Sequence, residues 1–343
     1  MGDIGCYSKA WCGTGASRPL PQRILSMLPR HGANTLVATG RNPIWQRAAT
    51  SQHPSNVNDT QFLFSADSPL AKDAHRCAFE KEACTWWANQ VTKRMLHTTG
   101  EMKGQQGTEE WLRLRQGRLT ASAFSNALGF WQDGRVELWE EKVGLRGPFA
   151  GNEATSWGSA KEEHALRSYS AITGNAVADD CMFKMLQDDP AHSWIGASPD
   201  GLITRPMGGP GSLGVLEIKC PFNKGKPLVA TPYRSMPYYY MPQVQGLMEV
   251  FDREWCHVYS WTVNGSAIYL VQRDREYWRV MYSMLSEFWW QHVIPTKHVL
   301  AQGGDPAEVE RHRPAPVHPY TAYIVQWSKN LASACPMSTH QSI

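Results

Sequence analysis

Apolar positions recur at helical or strand spacing from about residue 107 to residue 297, and far less regularly on either side. Within that stretch Thr108–Arg115 predicts a helix, capped by Thr108 and carrying Glu109 and Glu110 in its first turn. Thr120–Leu128 predicts a second helix. Ser156–Thr173 predicts a third, with Ala165, Leu166, Tyr169 and Ile172 as its apolar stripe and Gly174 as its stop. Trp194–Ile203 and Gly214–Cys220 read as strands, joined through the turn chemistry of Pro206-Met207-Gly208-Gly209-Pro210-Gly211. Pro242–Phe251 suits a helix, and Trp255–Val263 with Ala267–Arg273 suits a hairpin hinged at Asn264-Gly265. Glu276–His292 predicts a last helix whose aromatic face (Trp278, Phe288, Trp289, Trp290) packs on the sheet. This mixed order predicts an α/β (α+β) domain in which a central mixed β-sheet is flanked by helices.

The flanks differ in character. Residues 1–58 hold Lys9, Arg18, Arg23, Arg30, Arg41 and Arg47 against the single acid Asp3, with many Ser, Thr, Ala and Gly. An acid-poor, Arg- and Ser-containing N-terminus has the composition of an organellar transit peptide, which points to a mitochondrion or plastid. An ordinary extension on a cytoplasmic or nuclear protein stays open as the alternative. Residues 59–106 form a linker with an accessory helix over Ala74–Leu96, the dense part covers 107–297, and the tail over 298–343 lacks periodicity and is expected to be loosely ordered.

Composition narrows the function classes only a little. With 34 Lys and Arg against 31 Asp and Glu, the chain of 343 residues carries a net charge of +3, so any basic surface is local. Fifteen Trp, twelve Tyr and ten Phe favour a packed core over disorder. No apolar run is long enough for a membrane-spanning helix. The eight cysteines form no CxxC pair, which argues against a zinc site or a disulfide framework.

The chemistry concentrates in Ser198-Pro199-Asp200-Gly201 and Glu217-Ile218-Lys219. Residues two apart on a strand share a face, so Glu217 and Lys219 project together while Ile218 points the other way. If the two strands pair, Asp200 lies beside Glu217. Two converging carboxylates make a hard oxygen site suited to Mg²⁺, and a neighbouring lysine can stabilise charge that develops on a phosphate. Taken singly, Pro-Asp-Gly is usually a turn and Glu-x-Lys a solvated edge. The flanking Val215, Leu216 and Cys220-Pro221-Phe222 speak against a solvated edge here.

Further motifs fall in a fixed order around these. Trp111 and Leu112 precede Arg115-x-Gly117-x-Leu119-Thr120-Ala121-Ser122. Trp157-Gly158 precedes Glu162 and Ala165, and Gln243-Val244-Gln245 follows the Glu-x-Lys strand. In these five elements, from about Gly107 to His292, the chain resembles the YqaJ-type viral recombinase family. That family includes phage lambda exonuclease and belongs to the PD-(D/E)xK nuclease superfamily.

The resemblance implies a restriction-endonuclease-like core. It also implies a Mg²⁺- or Mn²⁺-dependent deoxyribonuclease, a hydrolase acting as a 5′-to-3′ exonuclease on linear duplex ends in recombination or repair. Asp200, Glu217 and Glu162 would hold the metal, Lys219 would assist the attacking water, and Gln243 would stand beside them. Helical geometry turns Gln245 to another face. Arg115 and Ser122 would grip phosphate. The implied partners are DNA, a single-strand-annealing recombinase and copies of the chain in a ring, with no membrane. Two other functions stay open: a catalytically inactive DNA-binding or scaffold protein, and a structure-specific endonuclease.

Overall fold

The computed structural model describes residues 108–178, 182–186, 192–206 and 213–340. The expected extension over 1–58, the accessory helix over 74–96 and the tip of the Gly/Pro-rich turn lie outside the described residues.

Helix α1 (Glu109–Gln116) opens as anticipated on Thr108, whose side chain accepts from the Trp111 N–H at 3.2 Å. The segment after it departs from expectation. Leu119 and Thr120 form a short strand, β1, in parallel register with Ile195 and Gly196, and only then does the chain coil into a 3₁₀ turn and α2 (Phe124–Ala127). Helix α3 (Gly134–Val143) has no counterpart in the sequence reading. Its apolar residues Val136, Leu138, Trp139 and Val143 are interleaved with charge, and even Arg135 is buried. Helix α4 (Glu153–Thr173) starts three residues early because Asn152 and Thr155 form a capping box, and it stops at the left-handed Gly174.

The expected strand Trp194–Ile203 is two strands in two sheets. Short strands β2 (Ala176–Ala178) and β3 (Lys184–Met185) precede it. Its first half is β4 (Ile195–Ala197), the centre of a three-stranded sheet ordered β1-β4-β3. Its second half is β5 (Gly201–Arg205), which enters a six-stranded sheet. Pro199 has no N–H to give a ladder, so the chain changes sheets at Ser198-Pro199-Asp200. In the larger sheet β5 pairs antiparallel with β6 (Gly214–Lys219), and β6 pairs parallel with β7 (Trp255–Thr262). Strand β8 (Gly265–Gln272) closes the hairpin with β7. Thr262 pairs with Gly265, so the two-residue turn is Val263-Asn264, one step earlier than expected.

Both faces of the six-stranded sheet are covered. Leu216 and Ile218 of β6 join Ala165 and Tyr169 of α4 in one core. Val215 faces the larger core, built with α5 (Met241–Phe251), α6 (Arg275–Glu287) and the π-helical turn Phe288–Val293. Phe288 and Trp289 are buried there, and Trp278 and Trp290 pack against it, as the aromatic face predicts. Close packing also explains Gly246 on α5. A Cβ there would lie 2.4 Å from a ring carbon of the buried Phe124.

The tail expected to be loose is instead built into the domain. After α7 (Ile294–Ala301) and α8 (Pro306–Arg311), helix α9 (Thr321–Ser333) buries Ile324 and Ala332, and β9 (Met337–His340) adds an edge strand to β8. The apolar stripe is thin because its polar members bond inward. Thr321 donates to the Leu128 carbonyl at 2.7 Å, and Ser328 Oγ lies 2.8 Å from Tyr277 Oη. No described helix is long and apolar enough to cross a membrane.

Two predictions follow from this packing. Gly246→Ala should cost roughly 1–3 kcal/mol through overpacking against Phe124. Urea denaturation would measure it, and in the double variant with Phe124→Leu the two costs should add to less than their sum. The second concerns His257 on β7, whose Nδ1 lies 2.7 Å from the Tyr169 hydroxyl, an oxygen that also accepts from Asn175. Burial lowers the His257 pKa to about 4. Since the unfolded chain takes up this proton near pH 6.5, stability falls as pH drops from about 6.5 to about 4, by up to about 3 kcal/mol. His257→Gln should flatten the curve of denaturation midpoint against pH in that window.

Candidate active site

Asp200 is placed by the sheet change. Strand pairing runs from Ile203↔Gly214 to Gly201↔Leu216 and then stops. The next outward amide of β6, that of Ile218, donates instead to Asp200 Oδ2 at 2.6 Å. The side chain thus replaces a missing ladder carbonyl and brings the Asp200 carboxylate beside Glu217. Gly201 is needed next to it, because a Cβ would lie 2.5 Å from Val177.

Glu217 is buried on the α5 face of the sheet. Its Oε1 accepts from Lys219 Nζ at 2.6 Å and from Gln243 Nε2 at 2.5 Å. Gln243 Oε1 in turn lies 3.3 Å from Lys219 Nζ, so the three side chains form a closed triangle. Gln245 points away as its helical phase predicts, bonding the Gln272 carbonyl and the Asp274 N–H. The other oxygen of Glu217, Oε2, is buried and has no hydrogen-bond partner among the described residues.

The electrostatics follow from crowding these charges in a low-dielectric place. Burial and the neighbouring Glu217 push the Asp200 carboxyl well above the usual range. Burial alone would lower the Lys219 pKa, but Glu217, Tyr240 and Asp200 outweigh it and hold the ammonium above its ordinary value. Lys219 Nζ also sits 4.7 Å from the centroid of the Tyr240 ring, a cation–π contact that positions it from below. Tyr240 was not distinguishable from its neighbours in the Tyr238-Tyr239-Tyr240 run. Only the fold shows that Tyr238 and Tyr239 pack on Phe130 and Trp131 while Tyr240 meets the lysine.

Arg115 and Ser122 reach the same cavity from the N-terminal motif. Arg115 donates to Ser122 Oγ at 3.0 Å and lies 4.2 Å from the ring centroid of Trp111. Trp111 Nε1 donates to Ser198 Oγ at 3.4 Å, tying α1 to the sheet change. The result is a cavity of about 140 Å³ lined by Trp111, Arg115, Ser122, Asp200, Glu217 and Gln243, together with Ala121 and Ser198. Trp111 is a second residue the sequence reading left without a site role.

Glu162 comes to the site from the neighbouring helix α4. It does not line the cavity, and among the described residues no three His, Cys, Asp or Glu side chains meet as a metal-binding group. Helix α4 covers the Leu216/Ile218 face of β6, whereas Glu217 and Lys219 project to the opposite face. Glu162 is nevertheless near enough that burial, and then the charge of Glu217, raise its pKa. The chemistry of the donors does fit a divalent cation: a partnerless buried carboxylate oxygen on Glu217 beside the Asp200 carboxylate offers hard ligands. Mg²⁺ commonly takes only one or two carboxylates, with water and phosphate oxygens completing its shell.

Residues 110–254 match the YqaJ-like viral recombinase domain family, in agreement with the motif resemblance. No curated protein matches the chain. Among solved structures the chain is similar to an alkaline exonuclease, LHK-Exo, from Laribacter hongkongensis, and to the same protein in complex with dAMP. Each is 24% identical over 66% of this chain and 100% of that one, with a TM-score of 0.41. It is also similar to SSO0001, at 12% identity over 65% of this chain and 96% of that one, with a TM-score of 0.32.

Asp200→Asn should stabilise the protein in chelator-containing buffer at neutral pH, because it removes a buried charge while the amide oxygen can still accept from Ile218. A carboxyl with a raised native pKa contributes stability at low pH that is lost as pH rises above its unfolded value. The gain in melting temperature should therefore be a few degrees at pH 7 and should vanish near pH 4. Calorimetry at the two pH values measures it, and a lower melting temperature at pH 7 would contradict the crowding described here.

Proposed function

We propose that this chain, which carries a YqaJ-like viral recombinase domain over residues 110–254, is a divalent-metal-dependent deoxyribonuclease. The observation that supports the reading is the convergence of Asp200, Glu217 and Gln243 on one cavity whose wall carries Arg115 and Ser122, with Lys219 bonded to Glu217 beside it. Phosphodiester hydrolysis needs a grip on the phosphate, a held water and a place for charge that develops on phosphorus oxygens. Arg115 and Ser122 supply the grip through guanidinium and hydroxyl donors already aligned on each other. Asp200 and Glu217 are the residues that would hold Mg²⁺ or Mn²⁺. When bound, the cation supplies Lewis acidity toward a phosphate oxygen and makes a water more acidic.

The remaining residues set protonation and geometry. Lys219 stays an ammonium at any working pH, so it serves as fixed positive charge and as a donor to the water or the phosphate. Gln243 and Lys219 together hold Glu217 Oε1, which leaves Oε2 free of protein partners among the described residues. Glu162, on its neighbouring helix, is proposed to join the cation's shell through water. DNA as substrate, attack at linear duplex ends and 5′-to-3′ polarity rest on the family motifs.

The decisive experiment is digestion of linear duplex DNA with Mg²⁺, using 5′- and 3′-labelled strands and a covalently closed circle as control. Asp200→Asn, Glu217→Gln and Lys219→Met should each lower the rate by at least about 100-fold while near-ultraviolet circular dichroism is retained. Chelation should abolish digestion of the linear form, and the closed circle should resist. Undiminished digestion by both Asp200→Asn and Lys219→Met would remove the assignment. Efficient cutting of the circle would turn it to an endonuclease.

A further inference from the structure

Immediately after Lys219 the chain leaves β6 and runs through residues 220–240 before α5 begins. Between Glu217 and Glu249 there is no acidic residue, yet there are four cations: Lys219, Lys224, Lys226 and Arg234. The last three are exposed, and no ion pair is formed by any of them among the described residues. In a chain of net charge +3 such a one-signed stretch is local by construction.

This loop is held, not loose. Asn264, in the β7–β8 turn, donates from its amide to the carbonyls of Leu228 and Ala230 at 2.9 and 2.8 Å. The Tyr233 N–H donates to Ser260 Oγ, and its carbonyl accepts from Tyr269 Oη. Tyr233 Oη lies 3.3 Å from Tyr240 Oη, and Tyr240 underlies Lys219, so both ends of the loop join the candidate active site. The first bend is strained. Asn223, Lys224 and Gly225 occupy left-handed backbone in succession, with φ of 49°, 52° and 86°, and only the last is free of cost there. Beyond it Leu228 and Val229 are 70% and 66% exposed although their backbone is pinned. A cationic loop that is strained, fixed and tipped with two aliphatic side chains matches a polyanion whose charges are spaced by apolar sugar.

We infer that residues 223–235 form a docking surface for the sugar–phosphate backbone of duplex DNA. It continues the cleft outward from Lys219, with Lys224, Lys226 and Arg234 on phosphates and Leu228-Val229 against deoxyribose. The inference rests on the nuclease reading and adds to it where the duplex lies beyond the reacting phosphate.

Binding of a fluorescent linear duplex to the full chain carrying Asp200→Asn tests it without digestion, by anisotropy between about 50 and 200 mM salt. Lys224→Ala, Lys226→Ala and Arg234→Ala together should weaken binding at least tenfold. They should also flatten the slope of log affinity against log salt by about 2 to 3, close to one counterion per lost phosphate contact. Leu228→Ser with Val229→Ser should weaken binding without changing that slope. The charge-conserving set Lys224→Arg, Lys226→Arg and Arg234→Lys should restore both affinity and slope, which a merely folding-related loss would not do. If the triple alanine variant keeps the parent's affinity and slope, the docking surface is wrong while the nuclease reading stands. If the Asp200→Asn parent binds no duplex at all, both fail together.

Discussion

The hydrogen bond from the Ile218 amide to the Asp200 carboxylate is the contact on which the arrangement turns. It forms because Pro199 cannot extend the β5–β6 ladder and because the chain must cross from the three-stranded sheet to the six-stranded one at that point. A ladder that ran one pair further would satisfy the Ile218 amide with backbone, and Asp200 would have no reason to turn toward Glu217. The carboxylate pair is therefore a product of the sheet boundary. Trp111, bonding Ser198 at the same boundary, carries the Arg115/Ser122 motif to the cavity by the same device.

Holding these charges together works against stability, and the surroundings explain how it is tolerated. A buried ion pair gains little over apolar packing unless its other lone pairs and protons find partners. Lys219 and Gln243 satisfy one oxygen of Glu217, Ile218 satisfies one of Asp200, and the Tyr240 ring supports the ammonium. The Oε2 atom of Glu217 is left over. Structural ion pairs in proteins rarely leave such a remainder, because it costs free energy with no return in folding. A remainder on a side chain that lines a cavity with Arg115 and Ser122 on its wall is intelligible as chemistry.

How much of this could be read from the sequence depended on whether the signal was local. Asp200, Glu217, Lys219 and Gln243 were legible because period-two and helical phase fix which side chains share a face, and the fold brings those four together. The cap at Thr108 and the stop at Gly174 were legible for the same reason. The division of Trp194–Ile203 between two sheets was not, since Pro199 reads equally as an edge-strand residue or a turn. Helix α3 and the docked tail were hidden because their inward polar groups, Arg135, Thr321 and Ser328, find partners far away in sequence in Glu287, the Leu128 carbonyl and Tyr277. Glu162 lies on the helix its spacing implies, close enough to feel the charges of Glu217 and Lys219. The choice of Tyr240 from three consecutive tyrosines was beyond any pattern.

Strand β6 links these observations into one path. Its inner pairings fix Glu217 and Lys219 between two cores, and its last amide fixes Asp200. The chain that leaves it passes directly into the acid-free loop, which returns through Tyr233 and Tyr240 to the underside of Lys219. A cation carried on that loop is thus referred to the same rigid sheet as the reacting groups, without an independent hinge between them. In the proposed nuclease that matters more than the number of contacts, because a phosphate held a fraction of an ångström out of line loses most of the benefit of positioning. Strain at Asn223 and Lys224 is then understandable as the cost of starting the loop abruptly, so that its charges lie close to the end of β6.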